Sequence, residues 1–198
     1  MNKSHTITCI IPARGGSKRL PRKNIKKVLG KPMIQWGIEA CLKSKFLDSE
    51  KVFVSSEDEE ILNLSKVLGV QTIKRPQELS EDNVWTQDVL KHAVEVIAPV
   101  YQSKGITSLD IVIRVQANSP QVTSEKIDEC IEKLINNNLW EVFTVNEEGI
   151  EDAAIHVMKS QCVFQSALSV YKGVVRTNFI DIHSEADRLS VEEKMKNG

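Results

Sequence analysis

Apolar and polar residues alternate along the chain in short blocks, and these blocks predict strands and helices by turns. Continuous apolar runs are typical of buried strands, and they lie at 7–11, 51–55, 70–74, 109–115 and 140–145. Segments with helical spacing of apolar residues predict helices at 32–44, 56–68, 87–100 and 124–136. This order favours an α/β fold with a mainly parallel, mixed sheet and helices on both faces.

Local signals mark the ends of several of these elements. Pro32 suits the first turn of a helix, because its missing N–H would be unpaired there in any residue. Ser56 and Glu59 have the spacing of a capping box, which predicts that they open the second helix. Gly69 is expected to end that helix.

The ends of the strands predict where a ligand binds. In open parallel sheets ligands bind outside the carboxyl ends of the strands. Ala13 follows the first strand and Gln116 follows the fourth, so we expect both to face one crevice. Polar residues directly after an aliphatic strand, here 116–120, are commonly site residues. An ordinary turn is the alternative, since Asn, Ser and Pro all favour turns.

The first strand leads into a glycine pair and a dense run of positive charge. Gly15 and Gly16 follow Pro12, and glycine allows a positive φ that brings bare N–H groups close to a ligand. Between 13 and 27 there are seven cationic side chains and no acidic one, namely Arg14, Lys18, Arg19, Arg22, Lys23, Lys26 and Lys27. Strand, glycine turn and cations together predict a cradle for polyphosphate.

Three other interpretations fit part of this basic segment. A run of charge is often only a solvated face, and a Lys/Arg-rich segment can hold the phosphates of a nucleic acid. Against nucleic acid stand a pI of about 6.4, an aromatic content of 5% and the shortness of the segment. The third is another nucleotide motif, but neither G-x-x-x-x-G-K-[ST] nor G-x-G-x-x-G occurs. The net charge is only -1, so positive charge is concentrated here.

Length and composition are those of an ordinary globular protein. The 198 residues predict a single domain over 1–198. The apolar runs are far shorter than the roughly 20 residues of a membrane span, and residues 1–6 lack the apolar core of a signal peptide. No C-x-x-C occurs, so the four scattered cysteines predict buried thiols, without zinc or disulfides. A cytoplasmic location follows as an expectation.

Several segments together resemble one family of enzymes. IIPARGGSKRLPRKN resembles the signature loop of the nucleotidyltransferases that make CMP-activated acidic sugars. These are the acylneuraminate (nonulosonic acid) cytidylyltransferases, and the CMP-KDO synthetases are a related family. The resemblance continues through LGKPMIQWGIEACLKS, VFVSSEDEEI, RPQELSEDNVWTQDVLKHAV and VQANSP, and resumes at LSVYKGVVRTNFIDIHSEAD. It implies a Rossmann-like nucleotidyltransferase fold and transfer of CMP from CTP to an acidic sugar, with release of pyrophosphate.

The resemblance also implies roles for particular residues. The catalytic cations, which hold the triphosphate and the departing pyrophosphate, are Arg14, Lys18 and Lys23. The nucleotide-binding residues are Ala13, Arg14, Gly15, Gly16, Ser17, Asn24, Arg75, Thr86 and Gln116. No nucleic acid or membrane partner is expected.

Some of these residues also have ordinary structural interpretations, which stay open. On the residue alone, Arg75 is a surface cation and Thr86 a helix cap. His92 is interpreted as a helix-face residue, not as a catalyst. Asn118 stands where the KDO enzymes have a metal-binding aspartate, and the sialate branch has an uncharged residue there, so the resemblance favours that branch.

The metal site departs from the family's pattern. The sialate branch has D-x-D on a strand, which projects two carboxylates from one face onto Mg²⁺. Here Asp181 is followed by His183 within NFIDIH, which is predicted to be a strand. Magnesium prefers oxygen ligands. We therefore expect Asp181 to hold Mg²⁺ together with triphosphate oxygens and waters, while His183 could instead offer the acceptor a hydrogen bond.

A second departure lies before the last strands. The family carries a long insertion there that makes the dimer contact and supplies arginines to the sugar carboxylate, whereas residues 145–152 bridge that place here. A homodimer is possible but its usual insertion is missing, and Lys172 or Arg176 could substitute for the arginines. Two alternatives therefore stay open: a non-catalytic nucleotide-binding relative, and a transferase for another nucleotide or a smaller acceptor.

Overall fold

The strands and helices predicted between residues 7 and 145 are present in a computed structural model, which describes residues 5–197. In chain order its strands are β1 Ile7–Pro12, β2 Lys27–Val28, β3 Lys31–Pro32, β4 Val52–Ser56, β5 Gln71–Lys74, β6 Ile111–Val115, β7 Glu141–Val145, β8 Glu151–Lys159 and β9 Lys172–Arg176. Its α-helices are α1 Met33–Lys43, α2 Glu59–Val67, α3 Thr86–Ser103, α4 Ser124–Asn136 and α5 Glu185–Asn197.

Seven of these strands form one sheet in the order β5-β4-β1-β6-β8-β7-β9. β8 is antiparallel to both of its neighbours, and every other neighbouring pair is parallel. β2 and β3 pair separately as a short hairpin. The predicted mainly parallel, mixed sheet is confirmed. Its topology brings the carboxyl ends of β4, β1 and β6 side by side at one edge.

Helices cover both faces of the sheet, as predicted. Alternate residues of β1 and β6 point to opposite faces. Ile11 and Ile113 pack with α1, α2 and α4 in one cluster. Ile10 and Val112 pack against α3 in the other. The cysteines are buried free thiols, as expected: Cys9, Cys41, Cys130 and Cys162.

The N-terminus of α2 differs from the prediction. Asp58, not Ser56, caps the helix, and its side chain accepts from the N–H groups of Glu60 and Ile61 at 3.0 and 3.1 Å. Ser56 Oγ instead accepts from the Asp58 N–H at 3.0 Å. The predicted capping box of Ser56 and Glu59 is therefore wrong. The chain turns into the helix two residues later than that box requires, because β4 extends to Ser56.

The C-terminal third contains elements that the sequence did not predict. β7 and β8 form a hairpin over the turn 146–150, which is closed by the Asn146 N–H and the Ile150 carbonyl at 2.8 Å. This turn confirms that residues 145–152 are a short connection. The strand predicted over NFIDIH is wrong, since residues 177–183 form no strand. They cross from β9 to the end of β6, where the Ile182 N–H donates to the Asn118 carbonyl at 3.0 Å.

None of the helices within residues 5–197 is both long enough and apolar enough to cross a membrane. The expectation about a signal peptide rests on residues 1–6, of which 1–4 lie outside the described residues. The predicted single domain over 1–198 includes residues 1–4 and 198, which also lie outside the described residues. That domain and the cytoplasmic location stay predictions.

Replacing Asp58 by Ala should destabilise the protein by about 1–2 kcal/mol, because two N–H groups of α2 lose their cap. Glu59→Ala serves as the matched control, since Glu59 makes only an exposed ion pair with Lys74 and its loss should leave stability unchanged within error. Urea unfolding of both variants measures the difference. A larger loss of unfolding free energy in Glu59→Ala than in Asp58→Ala would support the predicted capping box instead.

Candidate active site

A cavity of about 280 Å³ lies at the carboxyl ends of β1 and β6. Its walls come from the loop after β1, from the segment between β5 and α3, and from the ends of β6 and of the crossing segment. The lining residues are Pro12, Arg14, Ser17, Lys18, Arg19, Leu20, Lys23, Asn24, Arg75, Leu79, Ser80, Glu81, Asp82, Val84, Thr86, Val89, Gln116, Asn118 and His183. The crevice predicted between the ends of the first and fourth predicted strands, which are β1 and β6, is therefore present.

Most of the residues predicted for the site line this cavity: Arg14, Ser17, Lys18, Lys23, Asn24, Arg75, Thr86 and Gln116. Four others do not. Ala13 is fully buried in the core, and its N–H donates to the Ser55 carbonyl at 3.0 Å. Gly15 and Gly16 are absent from the lining, and Asp181 lies next to it, in contact with His183. His92 lies on α3 outside the lining, in agreement with its interpretation as a helix-face residue.

The basic run after β1 divides into two groups. Arg14, Lys18, Arg19 and Lys23 line the cavity. The other three cations point elsewhere. Arg22 forms ion pairs with Asp58 and Glu60, Lys26 lies 2.9 Å from Glu185, and Lys27 is exposed. The solvated face considered for this run thus describes part of it, and four cations converge on the cavity.

A carboxylate already bridges two of these four cations. Asp82 Oδ1 lies 2.7 Å from Arg14 Nη1, and Asp82 Oδ2 contacts Lys18 Nζ. Hydrogen bonds from Lys18 and Arg14 hold the pKa of Asp82 below its ordinary value. A phosphate group that binds these cations therefore competes with the Asp82 carboxylate for them.

A second carboxylate, that of Glu57, occupies donors on the β4 side of the cavity. Its Oε1 accepts from the Gly15 N–H at 2.7 Å, and its Oε2 accepts from Arg75 Nη2 at 2.9 Å. Burial raises the pKa of Glu57, but the hydrogen bonds from Arg75 and Gly15 outweigh burial, so its pKa lies below the ordinary value. The predicted free N–H of Gly15 is engaged by a side chain of the protein.

Arg75 is not the surface cation that its residue type alone indicated. It is 4% exposed, and its Nε donates to Ser80 Oγ at 3.0 Å. With Glu57 on its other side, the guanidinium is held in a fixed plane at the cavity wall. A guanidinium has five N–H donors, so a ligand can use those that Ser80 and Glu57 leave.

The glycine pair acts through space and not through φ. Neither Gly15 nor Gly16 has a positive φ, so that prediction is wrong. A Cβ built on Gly15 would lie 2.4 Å from Asp58 Oδ2, whereas one on Gly16 would meet nothing within 4 Å. Gly15 is required because Asp58, fixed as the cap of α2, lies directly against its backbone.

Lys23 and Asn24 begin a short 3₁₀ turn, Lys23–Ile25, at the cavity floor. Asn24 Nδ2 donates to the Arg14 carbonyl at 2.8 Å. Asn24 Oδ1 is buried and has no hydrogen-bond partner within residues 5–197, so it is available to a donor on a ligand. Burial lowers the pKa of Lys23, with a smaller opposing effect from Asp181.

Asp181 and His183 pair at the mouth of the cavity. His183 Nε2 lies 2.9 Å from Asp181 Oδ2, and Ser119 Oγ lies 3.4 Å from Asp181 Oδ1. Burial raises the pKa of Asp181, against the effects of His183 and Lys23. Within the described part of the chain no three acidic, histidine or cysteine side chains cluster as metal ligands. A metal ion here would receive one carboxylate from the protein.

Sequence reasoning missed the acidic residues of the site. Glu57 directly follows β4 at the carboxyl edge of the sheet, so the rule that selected Gln116 could have selected Glu57 as well. Asp82 lies in a polar stretch after Arg75 and carries no local signal. Its role depends on a contact with Lys18, 64 positions away along the chain.

Comparison with known proteins places these features in a family. The family model described as Cytidylyltransferase matches residues 8–172. A pseudaminic acid cytidylyltransferase of Campylobacter jejuni is 37% identical over 140 residues, which are 70% of this chain and 57% of that protein. N-acylneuraminate cytidylyltransferase A of Danio rerio is 33% identical over 143 residues, 72% of this chain and 31% of that protein. The chain thus spans little more than half, or less, of these relatives.

Solved structures share the fold at low sequence identity. A CMP:2-keto-3-deoxy-manno-octonic acid synthetase complexed with CTP superposes with a TM-score of 0.76 at 16% identity, over 97% of this chain and 99% of that one. A 4-diphosphocytidyl-2C-methyl-D-erythritol synthase from Anaerococcus prevotii gives a TM-score of 0.64 at 13% identity, over 97% and 96% of the two chains. These likenesses confirm the predicted Rossmann-like nucleotidyltransferase fold.

Replacing Gly15 by Ala should lower the free energy of unfolding by about 1–3 kcal/mol, the usual range for a side chain forced into filled space. Gly16→Ala is the control and should be neutral or slightly stabilising, because its Cβ meets open space and alanine restricts the unfolded chain. Urea unfolding compares them. Equal effects of the two substitutions would show that the Asp58 side chain can move aside without a measurable loss of stability.

Replacing Asp82 by Asn should tighten pyrophosphate binding by roughly three- to tenfold, because the anion no longer competes with an exposed carboxylate. The matched control is Asp88→Asn, which makes the same charge change on α3 outside the cavity lining. Isothermal titration calorimetry at low salt measures both. If Asp88→Asn tightens binding as much, the effect is one of net charge and not of displacement.

Proposed function

Because the chain belongs to the cytidylyltransferase family, we propose that it transfers CMP from CTP to an acidic sugar and releases pyrophosphate. The observation that carries this proposal is the convergence of Arg14, Lys18, Arg19 and Lys23 on one cavity at the carboxyl ends of β1 and β6. The acceptor class is supported by the named activities of the relatives, pseudaminic acid and N-acylneuraminate cytidylyltransferase.

The cations would act on the phosphates of CTP. An acceptor hydroxyl attacks the α-phosphorus in line and loses its proton to the solvent, the bond from that phosphorus to the bridging oxygen breaks, and pyrophosphate leaves with the electron pair. Positioning and stabilisation of negative charge are the protein's main contributions to such chemistry. Arg14 and Lys18 would hold the phosphates after Asp82 gives way, and the half-buried Lys23 would face the developing charge on the leaving group.

Arg75 and Asn24, which also line the cavity, suit the nucleoside. The fixed guanidinium of Arg75 is a donor for the pyrimidine carbonyl, and the unpartnered Asn24 Oδ1 is an acceptor for a hydroxyl or amino group of the nucleoside. Thr86 at the start of α3, Gln116 after β6 and Ser17 after β1 line the same cavity and would complete the nucleotide site.

A divalent metal is the usual cofactor of such transferases, and we propose Mg²⁺ in this one. The residues fit an ion that is shared with the substrate, because Mg²⁺ often takes one or two carboxylates and completes its shell with phosphate oxygens and waters. Asp181 would supply the one carboxylate, with its pairing to His183 rearranged. Bound there, the ion would neutralise charge on the phosphates.

The experiment that tests this function measures pyrophosphate release from CTP with a panel of acidic sugars. Wild-type protein should release pyrophosphate, and Lys23→Ala should lower the rate on the order of 10²-fold or more, as for other fixed charge stabilisers. Lys27→Ala is the matched control, since Lys27 is exposed and outside the cavity lining. A rate in Lys23→Ala equal to that of the control would contradict the assignment.

Thermal-shift measurements with CTP, UTP, GTP and ATP separate the alternatives. A nucleotide at 100 times its Kd should stabilise the protein by about 2.7 kcal/mol. Binding of CTP without release on any sugar would identify a non-catalytic relative. A larger shift with UTP or a purine nucleotide would identify a transferase for another nucleotide.

A further inference from the structure

A buried arginine lies beside the cavity and belongs to none of the groups described so far. Arg114 sits on β6 and is 9% exposed. It precedes Gln116 by two positions, so both side chains leave the strand on the same face. That face carries the cavity, because Pro12 and Gln116 line it.

The guanidinium of Arg114 extends to the carboxyl edge of the sheet, towards β8. Its Nη2 donates to the Ala153 carbonyl at 3.1 Å. Val115 pairs with Ile155, and the Gln116 N–H donates to the Ala154 carbonyl at 3.0 Å. Ala153 therefore lies just past the end of β6, close to Gln116, which lines the cavity.

This guanidinium is incompletely paired. Glu151 Oε1 lies 3.6 Å from its Nη2, which is too long for a hydrogen bond. The Nε is buried and has no hydrogen-bond partner within residues 5–197. Burial lowers the pKa of Arg114, and Glu151 and Asp181 only partly oppose that effect. A buried cation with an unused donor is costly unless an anion completes it.

We propose that Arg114 binds the carboxylate of the acidic acceptor, on the β8 side of the nucleotide cavity. This inference rests on the proposed function. The planar guanidinium matches a carboxylate with two parallel hydrogen bonds. The two terminal nitrogens, of which Nη2 already donates one hydrogen bond to Ala153, supply them. An acceptor held there by its carboxylate presents its hydroxyl groups towards the phosphates bound by Arg14 and Lys23.

The other cations considered for this role lie elsewhere. Lys172 and Arg176 are exposed residues of β9. Two strands, β8 and β7, separate β9 from β6, which corresponds to about 14 Å at the usual strand spacing. Arg14 and Lys18 hold Asp82 and are assigned to the phosphates. Arg114, in contrast, lies on β6, which is the neighbour of β8 in the sheet.

Two substitutions of opposite sign test the proposal. Arg114→Gln should raise the KM for the acceptor on the order of 10²-fold, the usual loss when one partner of a buried charge pair is removed. The stabilisation by CTP should stay unchanged. Glu151→Gln should lower the acceptor KM, because the carboxylate that competes for Arg114 is gone. Arg176→Gln is the control and should change neither value.

A substrate comparison distinguishes recognition from structural support. Wild-type enzyme should prefer the free acid of the acceptor over its amide, and Arg114→Gln should lose that preference. A structural role would lower both rates together and leave their ratio unchanged. If Arg114→Gln does not fold, Arg114→Lys, which keeps the charge but not the planar fork, takes its place in the same comparison.

The results also separate this inference from the proposed function. An unchanged acceptor KM and acid-to-amide ratio in an active Arg114→Gln enzyme would overturn the role of Arg114 and leave the cytidylyltransferase activity standing. Failure of the wild-type protein, saturated with CTP, to bind or convert any acidic sugar would overturn both.

Discussion

The loop that carries the cations depends on one carboxylate, that of Asp58. It caps α2, pairs with Arg22 and lies directly against the backbone of Gly15. Asp58 therefore links three features of the structure. It sets where α2 starts, it holds Arg22 away from the cavity, and it leaves no room for a side chain at position 15. Through it, helix α2 fixes the path of the chain between β1 and Lys23.

Two carboxylates of the protein contact hydrogen-bond donors at the cavity. Asp82 lies on Arg14 and Lys18, and Glu57 lies on Arg75 and the Gly15 N–H. Without Asp82, the neighbouring cations Arg14 and Lys18 would repel each other. Asp82 thus stabilises the folded loop before a ligand arrives, and an anionic ligand competes with it for these two cations.

The sequence predicted those parts of the fold that periodicity controls. The apolar runs located β1 and β6, and the helical pattern located α4 at its observed bounds. It did not predict β8, whose place depends on pairing with β6 on one side and β7 on the other. The cations of the site follow one another in the chain and were visible. Glu57 directly follows β4 and could have been found by its position. Asp82 and Arg114 act through contacts between distant segments, which no local pattern encodes.

The antiparallel strand β8 divides the sheet into two parallel blocks, β5-β4-β1-β6 and β7-β9. The first block builds the cavity, and the exposed turn 146–150 lies at the border of the second. Exposed turns accept extra residues without disturbing the register of their strands. Residues added to or removed from this hairpin should therefore leave the cavity unchanged, because β8 separates the turn's own block from the strands that build the cavity.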